Sequence, residues 1–167
     1  MQGMFSGAAR FDCDIGNWDT RNVENMSSMF NEAGSFNANL SGWHTGSVLT
    51  MSRMFSGAEK FNGSILKWDT SKVTDMSYMF AGAARFNGDI RTWDTSNVRS
   101  MKAMFLMAKR FDQDIGGWKT GNVADMTQMF QGARNMAEEN KPKFPDSAAS
   151  HDSAASFGGR QGGRAYL

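Results

Sequence analysis

The chain has 167 residues, a formal net charge of +1 and a single cysteine, Cys13. The length fits about one domain, and the balanced charge excludes a field that would draw the chain to nucleic acid or to an anionic membrane. One cysteine excludes an intramolecular disulfide framework. No apolar run approaches the ~20 residues of a membrane span, and no signal peptide opens the chain.

A repeat of 25 residues organises most of the chain. The pattern W-D-T-x-N-V-x-x-M-x-x-M-F returns at this spacing without insertion or deletion, and the Met-Phe pair occurs six times, from Met4-Phe5 to Met129-Phe130. A fixed period of this size is typical of stacked units that cannot bury an apolar face alone. The recurring aromatic residues are therefore predicted to form the structural core: Trp18, Trp43, Trp68, Trp93, Trp118, Phe30, Phe55, Phe80 and Phe105.

The chain enters this repeat at once, because Met1 leads into MFSGAARF without a polar cap. Terminal repeats of a stacked array are normally atypical, since they must shield the last layer. We therefore predict a repeat domain over residues 1–136 that is truncated at its N-terminus.

The first half of each repeat has helical spacing. Between Val73 and Gly82, the apolar residues Val73, Met76, Met79 and Phe80 cover one face of a short helix. Thr70 and Ser71 precede it as caps. Gly82 and its counterparts suit a left-handed C-cap. At that position Glu32 and Met107 replace glycine, which predicts that two of these turns end differently.

The second half of each repeat carries turn signals such as Asn62-Gly63 and Asn87-Gly88. A short strand is predicted after them, and such strands would pair as a parallel ladder about 4.8 Å apart. The fold class is therefore an α/β repeat solenoid of about five units, with one strand and one short helix each. The strands centre on Ile15, Leu40, Ile65, Ile90 and Ile115.

The unit F-N-x-D-I-x-x-W-D-T-S-N-V-x-x-M-x-x-M-F-x-G-A, best matched from Phe86 to Ala108, resembles the repeat of BspA-type leucine-rich-repeat surface proteins. It is similar in particular to their Met-Phe/Trp-Asp-Thr variety, and the likeness runs from Met4 to about Met136. The resemblance implies a right-handed, leucine-rich-repeat-like solenoid. It also implies export to the cell surface or extracellular space, and a role in adhesion or partner binding.

Polar residues also recur at fixed positions of the repeat, and we call each set of equivalent residues a column. The threonine column suits either hydroxyl bonds at a turn or a flat surface for ice or polysaccharide; it comprises Thr20, Thr45, Thr70, Thr95 and Thr120. Asp and Asn columns suit side-chain bonds that close turns. Calcium shared by Asp89, Asp112 and Asp114 is the alternative.

Two sets of positions are candidates for partner recognition: one that differs between repeats, and one that is basic from Arg10 to Arg110 except at Ser35. One set surrounds the fixed methionines: Ser28, Arg53, Tyr78, Ala103 and Gln128. A second is a basic column, which either binds an anionic partner or is solvated and neutralised by nearby aspartates: Arg10, Lys60, Arg85 and Arg110. The neutralising candidates are Asp12, Asp14, Asp89, Asp112 and Asp114.

No motif supports catalysis, a resident metal or a cofactor, since neither His44 nor His151 has a nucleophile or ligand set at a characteristic spacing. Residues 137–167 lose the repeat and are predicted to be a disordered tail. The predicted function is non-enzymatic binding of a protein or glycan of unknown identity, with no specific nucleic acid partner. The alternative is a structural spacer in a longer extracellular array, which would associate end to end.

Overall fold

The computed structural model describes residues 1–145, so His151 and most of the predicted tail lie outside the described residues. The described chain forms five repeats, each 25 residues long: repeat 1 (1–25), repeat 2 (26–50), repeat 3 (51–75), repeat 4 (76–100) and repeat 5 (101–125). A partial repeat 6 follows over 126–145. Regular secondary structure in this part of the chain is limited to one 3₁₀ helix, Glu138–Asn140, and isolated parallel bridges linking Asn25, Thr50, Asp75, Ser100 and Asp125 in turn.

Backbone hydrogen bonds hold successive repeats in register. In the Met-Phe half of each repeat, every second N–H donates to a carbonyl 24 residues later in the chain. The N–H of Phe55 donates to the Met79 carbonyl at 2.9 Å, and that of Phe80 to Met104 at 2.9 Å. The amides between them close local turns, such as Met79 N–H to the Met76 carbonyl at 3.2 Å. Each repeat therefore satisfies half of these amides internally and half through its neighbour.

The predicted helix over Val73–Gly82 is wrong, because these residues form successive turns. Tyr78 and Gly82 have φ values of 57° and 71°, in the left-handed region that a right-handed helix does not contain. A positive φ at the third residue is what a type II turn requires. In a helix, each of these N–H groups would donate to the carbonyl four residues earlier. Here every second N–H donates to a carbonyl of the following repeat instead.

Glu32 and Met107 adopt the left-handed conformation of the glycines they replace, with φ values of 60° and 57°. The expectation that these two turns end differently is therefore wrong. The Glu32 N–H donates to Ser56 at 2.7 Å and the Met107 N–H to Gln131 at 2.8 Å, as the corresponding Gly57 N–H does to Ala81 at 2.7 Å. The bonds between repeats impose this backbone even where the residue disfavours it.

The predicted strands around Ile15 and its counterparts are also absent, since a turn lies there in each repeat. The Trp43 N–H closes it by donating to the Leu40 carbonyl at 3.1 Å. The same turn brings neighbouring repeats very close, because a Cβ on Gly42 would lie 2.9 Å from the Gly16 carbonyl oxygen. The parallel bridges lie ten residues further along the chain than predicted, at Asn25 and its counterparts.

Aromatic stacks run through the core of the repeats. Phe55 and Phe80 have ring centroids 5.6 Å apart with planes 4° apart, and Phe80 contacts Phe86 of its own repeat at 3.8 Å. The tryptophan stack comprises Trp43, Trp68, Trp93 and Trp118, at 6.2 to 6.5 Å. All four, and the predicted core residues Phe30, Phe55, Phe80 and Phe105, are buried. Trp18 differs, because it is 37% exposed and lies outside this stack.

The predicted tail boundary at residue 137 is too early, because residues 137–144 pack on repeat 5. The Ala137 N–H donates to Asp112 Oδ1 at 3.0 Å, and the Ile115 N–H donates to the Asn140 carbonyl at 3.0 Å. Thr120 donates to the Lys143 carbonyl, and Phe144 packs against the core. The amino-acid composition of residues 137–144 did not reveal this packing, because it departs from the repeat motif. Their backbone groups and the Phe144 side chain nevertheless make contacts that motif residues make in earlier repeats.

Candidate interaction surface

The threonine column lies inside the molecule, which rules out a flat threonine surface for ice or polysaccharide. All five threonines are buried. Each hydroxyl donates to a backbone carbonyl of the following repeat; Thr45 does so to Asp69, and Thr70 to Asp94, both at 2.9 Å. These side chains connect repeats and are not available to a ligand.

The Asp and Asn columns are likewise occupied by backbone bonds. Asn37 Oδ1 accepts from the Asn62 N–H at 2.7 Å, and Asn62 Oδ1 accepts from the Asn87 N–H at 2.8 Å, so this column joins successive repeats. The second column closes turns within a repeat, as when the Gly116 N–H donates to Asp114 Oδ1 at 3.0 Å. Among residues 1–145, no group of three or more His, Cys, Asp or Glu side chains is placed to hold a metal ion.

The variable column beside the methionines has a left-handed backbone throughout. Ser28, Arg53, Tyr78 and Gln128 have φ between 56° and 60°, and their side chains are exposed or half-buried. Ala103 is fully buried, so its prediction as a recognition residue is wrong. Arg53 places its guanidinium carbon 4.5 Å from the centre of the Tyr78 ring. Arg53 and Tyr78 therefore form one cation–π unit on the surface.

The basic column is exposed at Arg10, Lys60, Arg85 and Arg110. Bonds between repeats place its members side by side, since the Arg85 N–H donates to the Glu59 carbonyl at 3.2 Å. Within the described part of the chain, the ion pairs are Arg21–Asp19, Arg91–Asp89 and Lys141–Glu138, and none of them includes this column. The predicted neutralisation by nearby aspartates is therefore not present there.

The aspartates near the basic column have other partners. Arg91 donates to both oxygens of Asp89, at 3.0 and 2.8 Å, and these bonds lower the pKa of that carboxyl. Asp112 accepts from the Ala137 N–H and from Asn140 Nδ2, and its pKa is lowered by these bonds. Asp12 Oδ1 accepts from the Asn37 N–H at 2.8 Å. The carboxylates are therefore engaged with their own turns or the next repeat.

A shallow groove that the sequence did not predict crosses repeats 1 to 3 on the Trp-Asp-Thr edge. We call it the Trp18–His44 groove: one part, of about 420 Å³, is lined by Trp18, Asp19 and Gly42, and the other, of about 320 Å³, by Lys67 and Asp69. Arg21 and His44 line both parts. The available signal was the local departure from the repeat pattern, since His44 stands where Asp19 and Asp69 stand in their repeats.

Hydrogen bonds link several polar groups that line this groove. Arg21 Nε and Nη2 donate to the two carboxylate oxygens of Asp19, at 2.9 and 2.7 Å. The Arg21 side chain and its backbone N–H together lower the pKa of Asp19 to about 2. The backbone of His44 is clamped by Thr20, whose hydroxyl accepts from the His44 N–H and donates to the His44 carbonyl, each at 2.9 Å.

These features define a repeat protein in which the Thr, Asp and Asn columns connect the units or close their turns, and the basic column lies on the surface. In the comparison with family models, the family described as "Mycoplasma protein of unknown function, DUF285" matches residues 1–68 and 64–158. The chain belongs to this family. No curated protein and no solved structure matches it. Among the described residues, no helix is long and apolar enough to cross a membrane.

Proposed function

We propose that the chain is a non-enzymatic surface interaction module of the BspA type, which binds protein or glycan partners in an adhesion role. One observation carries the proposal. The repeated Thr, Asp and Asn side chains bond to the neighbouring repeat or to their own turns, as Thr70 and Asn62 do. The basic column is exposed, and the Arg53–Tyr78 unit, which is particular to repeats 3 and 4, pairs an exposed Arg53 with a half-buried Tyr78. Exposed residues on a rigid repeat scaffold are the usual recognition elements of repeat proteins.

The architecture proposed with this function is a right-handed, leucine-rich-repeat-like solenoid. Its support is the constant offset of the backbone bonds between repeats and the near-parallel stacking of Phe55, Phe80 and Phe105, with planes 4° to 7° apart. We place the module on the cell surface or outside the cell, because the repeat unit resembles that of BspA-type surface proteins.

The test is a binding screen of the full chain against a glycan array and a panel of purified extracellular matrix and cell-surface proteins. The module predicts at least one saturable ligand. Binding should weaken when Arg53 and Tyr78, or Lys60 and Arg85, are changed to Ala, while the melting temperature stays within a few degrees of the wild type. A ligand whose affinity ignores both double variants would contradict the recognition surface proposed here.

A spacer without its own ligand is the second candidate. It is favoured by the uniform backbone bonds and ring stacks that join successive repeats, because such an array is rigid along its length. A blank binding screen, together with end-to-end self-association in sedimentation velocity, would establish the spacer in place of the module.

A further inference from the structure

The basic column belongs to a larger group of exposed cations in repeats 3 to 6. The position just before the column is basic in repeats 5 and 6, so the cations occupy two adjacent positions there. We call the group the basic ridge, and it comprises Lys60, Arg85, Lys109, Arg110 and Arg134, all exposed. Across the repeats, Glu59 is the only acidic residue at these two positions. The ridge is therefore a local concentration of positive charge on a chain whose total charge is nearly balanced.

A tight turn projects these residues from the surface. In repeat 4 the turn runs over residues 83–86, and the Phe86 N–H closes it by donating to the Ala83 carbonyl at 3.1 Å. Ala83 and Phe86 are fully buried, so Ala84 and Arg85 form the outer corner. The same bond closes the equivalent turns of repeats 3, 5 and 6, at 3.0, 3.2 and 3.1 Å. Each cation therefore extends from a backbone that is anchored in the core.

Backbone bonds between the turns hold the corners side by side. The Lys60 N–H donates to the Gly34 carbonyl at 3.3 Å. The Arg85 N–H donates to the Glu59 carbonyl at 3.2 Å. Isolated parallel bridges connect the same repeats elsewhere, and backbones paired in this way lie about 4.8 Å apart. The cations of the ridge therefore form a line across successive repeats, about one repeat spacing apart.

Neighbouring side chains do not neutralise this line of charge. Two residues after the column, repeats 3 and 4 have Asn62 and Asn87, which are neutral. The equivalent residue of repeat 5 is Asp112, whose carboxylate accepts from the Ala137 N–H and from Asn140 Nδ2. None of the ion pairs within residues 1–145 includes a ridge residue. Because like charges this close repel each other, a ligand that brings several negative charges to the ridge removes an unfavourable interaction.

The form of the ridge distinguishes between classes of anionic ligand. A single small anion would meet one or two exposed cations, and such pairs contribute little in water. A linear polyanion meets several cations at once, so that its contacts reinforce one another.

The groups around the ridge narrow the choice of polyanion. Single-stranded nucleic acid depends on aromatic side chains that stack on its bases, and Phe61, Phe86 and Phe111 of these turns are fully buried. Protein partners are anchored by aromatic and apolar groups in pockets, which a row of exposed corners does not provide. A linear acidic polysaccharide needs neither, because its charged groups and hydroxyls lie along its length.

From this geometry we propose that the basic ridge binds a linear acidic polysaccharide. Sulfate or carboxylate groups of successive sugars pair with Lys60, Arg85 and Arg110, and further groups pair with Lys109 and Arg134. Arginine suits this role because its planar guanidinium binds two oxygens of such a group at once. The inference rests on the proposed function, since it assigns a ligand class and a site to the same binding module.

The experiment measures binding of the full chain to heparin, hyaluronan and dextran oligosaccharides of equal length by isothermal titration calorimetry at low ionic strength. Heparin carries sulfates and carboxylates, hyaluronan carries carboxylates alone, and dextran is neutral. We expect saturable binding of at least one acidic oligosaccharide and none of dextran. Arg85→Gln/Arg110→Gln should weaken the binding by about tenfold. Glu59→Gln should strengthen it, because it removes the carboxylate beside Lys60.

Two double variants remove the same amount of charge elsewhere and serve as matched controls. Lys67→Gln/Lys72→Gln changes two exposed lysines of repeat 3 that lie outside the ridge. Arg160→Gln/Arg164→Gln changes two arginines outside the described residues. Both should leave the affinity within about twofold of the wild type, because exposed charges away from the ligand are screened. All variants should keep the wild-type melting temperature within a few degrees.

Four results would overturn the polysaccharide site: no binding of either acidic oligosaccharide, equal losses in the ridge variant and a control variant, equal binding of dextran, or tighter binding of a short DNA duplex of comparable charge. Each of them leaves the proposed function standing if the binding screen yields a ligand that is sensitive to the Arg53 and Tyr78 variants. The first result combined with a blank screen removes both proposals.

Discussion

Repeat 1 and repeat 4 share the same motif but differ in burial. Met79, Trp93 and Val98 are between 0% and 4% exposed, whereas Met4 is 51% and Trp18 37% exposed. Repeat 4 has a repeat on both sides, and repeat 1 has only repeat 2 beside it in the described chain. The motif therefore supplies apolar side chains, and a second neighbour is needed to bury them.

The contacts that repeat 1 retains are those directed at the following repeat. Thr20 is fully buried and donates to the His44 carbonyl at 2.9 Å, as the later threonines do to their own partners. The N–H of Phe5 donates to the Met29 carbonyl at 2.9 Å. Repeat 1 thus differs from repeat 4 on one side only: it keeps its contacts with the following repeat and has no preceding repeat in the described chain. Substitutions at single positions test this difference.

The largest effect is expected at the tryptophans. Trp93→Ala should lower the free energy of unfolding by ~3–5 kcal/mol, because it opens a cavity in a stack with neighbours at 6.2 and 6.5 Å. Trp18→Ala should cost less than ~1.5 kcal/mol, since much of the ring is already in water. Urea denaturation of both variants measures this. Equal losses would contradict the difference between the repeats.

A smaller effect is expected at the threonines, and it should be no smaller at Thr20 than at Thr70. Thr20→Val and Thr70→Val keep the side-chain shape but leave a part-buried carbonyl without its hydroxyl donor, at a cost of ~1–3 kcal/mol each. Thr20→Val also removes the acceptor of the His44 N–H. Thr92→Val, at an exposed site, serves as the control. If Thr20→Val left stability unchanged while Thr70→Val lowered it, repeat 1 would not be held to the following repeat in the way described.

Repeat 2 contains a strained backbone position that is unstrained in repeat 1. Glu32 has a φ of 60° where repeat 1 has Gly7, so Glu32→Gly should relieve left-handed strain of ~1–2 kcal/mol. Part of this gain is lost to the greater freedom of glycine in the unfolded chain, which leaves about 0.5–1 kcal/mol of net stabilisation. The reverse change in repeat 3, Gly57→Ala, should destabilise. Thermal unfolding measures both, and a Glu32→Gly variant less stable than the wild type would refute the strain.

The smallest effect concerns the other end of the array and depends on pH. Hydrogen bonds from Ala137 and Asn140 lower the folded-state pKa of Asp112 below the unfolded value of about 3.9. The stabilisation is therefore present above that value and is lost as the pH falls through the lowered pKa. The protection factor of the Ala137 amide against hydrogen exchange should fall there in the wild type. Asp112→Asn, which matches Asn87 in the preceding repeat, should remove this dependence; an unchanged pH profile would oppose the assignment.

Much of the packing followed from the sequence, and the backbone conformation did not. The period identified the columns, and the aromatic columns of repeats 2 to 5 lie in the core. The apolar spacing from Val73 to Phe80 suggested a helix because side-chain periodicity reports which residues face inward, not where the amides bond. The groove was missed for a similar reason, since Trp18, Arg21 and His44 belong to different columns and line one groove only in the folded chain.

The sequence by itself determined the repeat length, the register and the identity of the inward-facing residues, because each repeat must present the same apolar groups to its neighbours. Only the tertiary structure decided the turns, the left-handed residues and the packing of residues 137–144. Bonds between residues 24 positions apart override local preference, and Glu32 and Met107 show this most directly. The exposure of Trp18 was decided in the same way, since burial depends on a neighbouring repeat that the motif of a single unit does not encode.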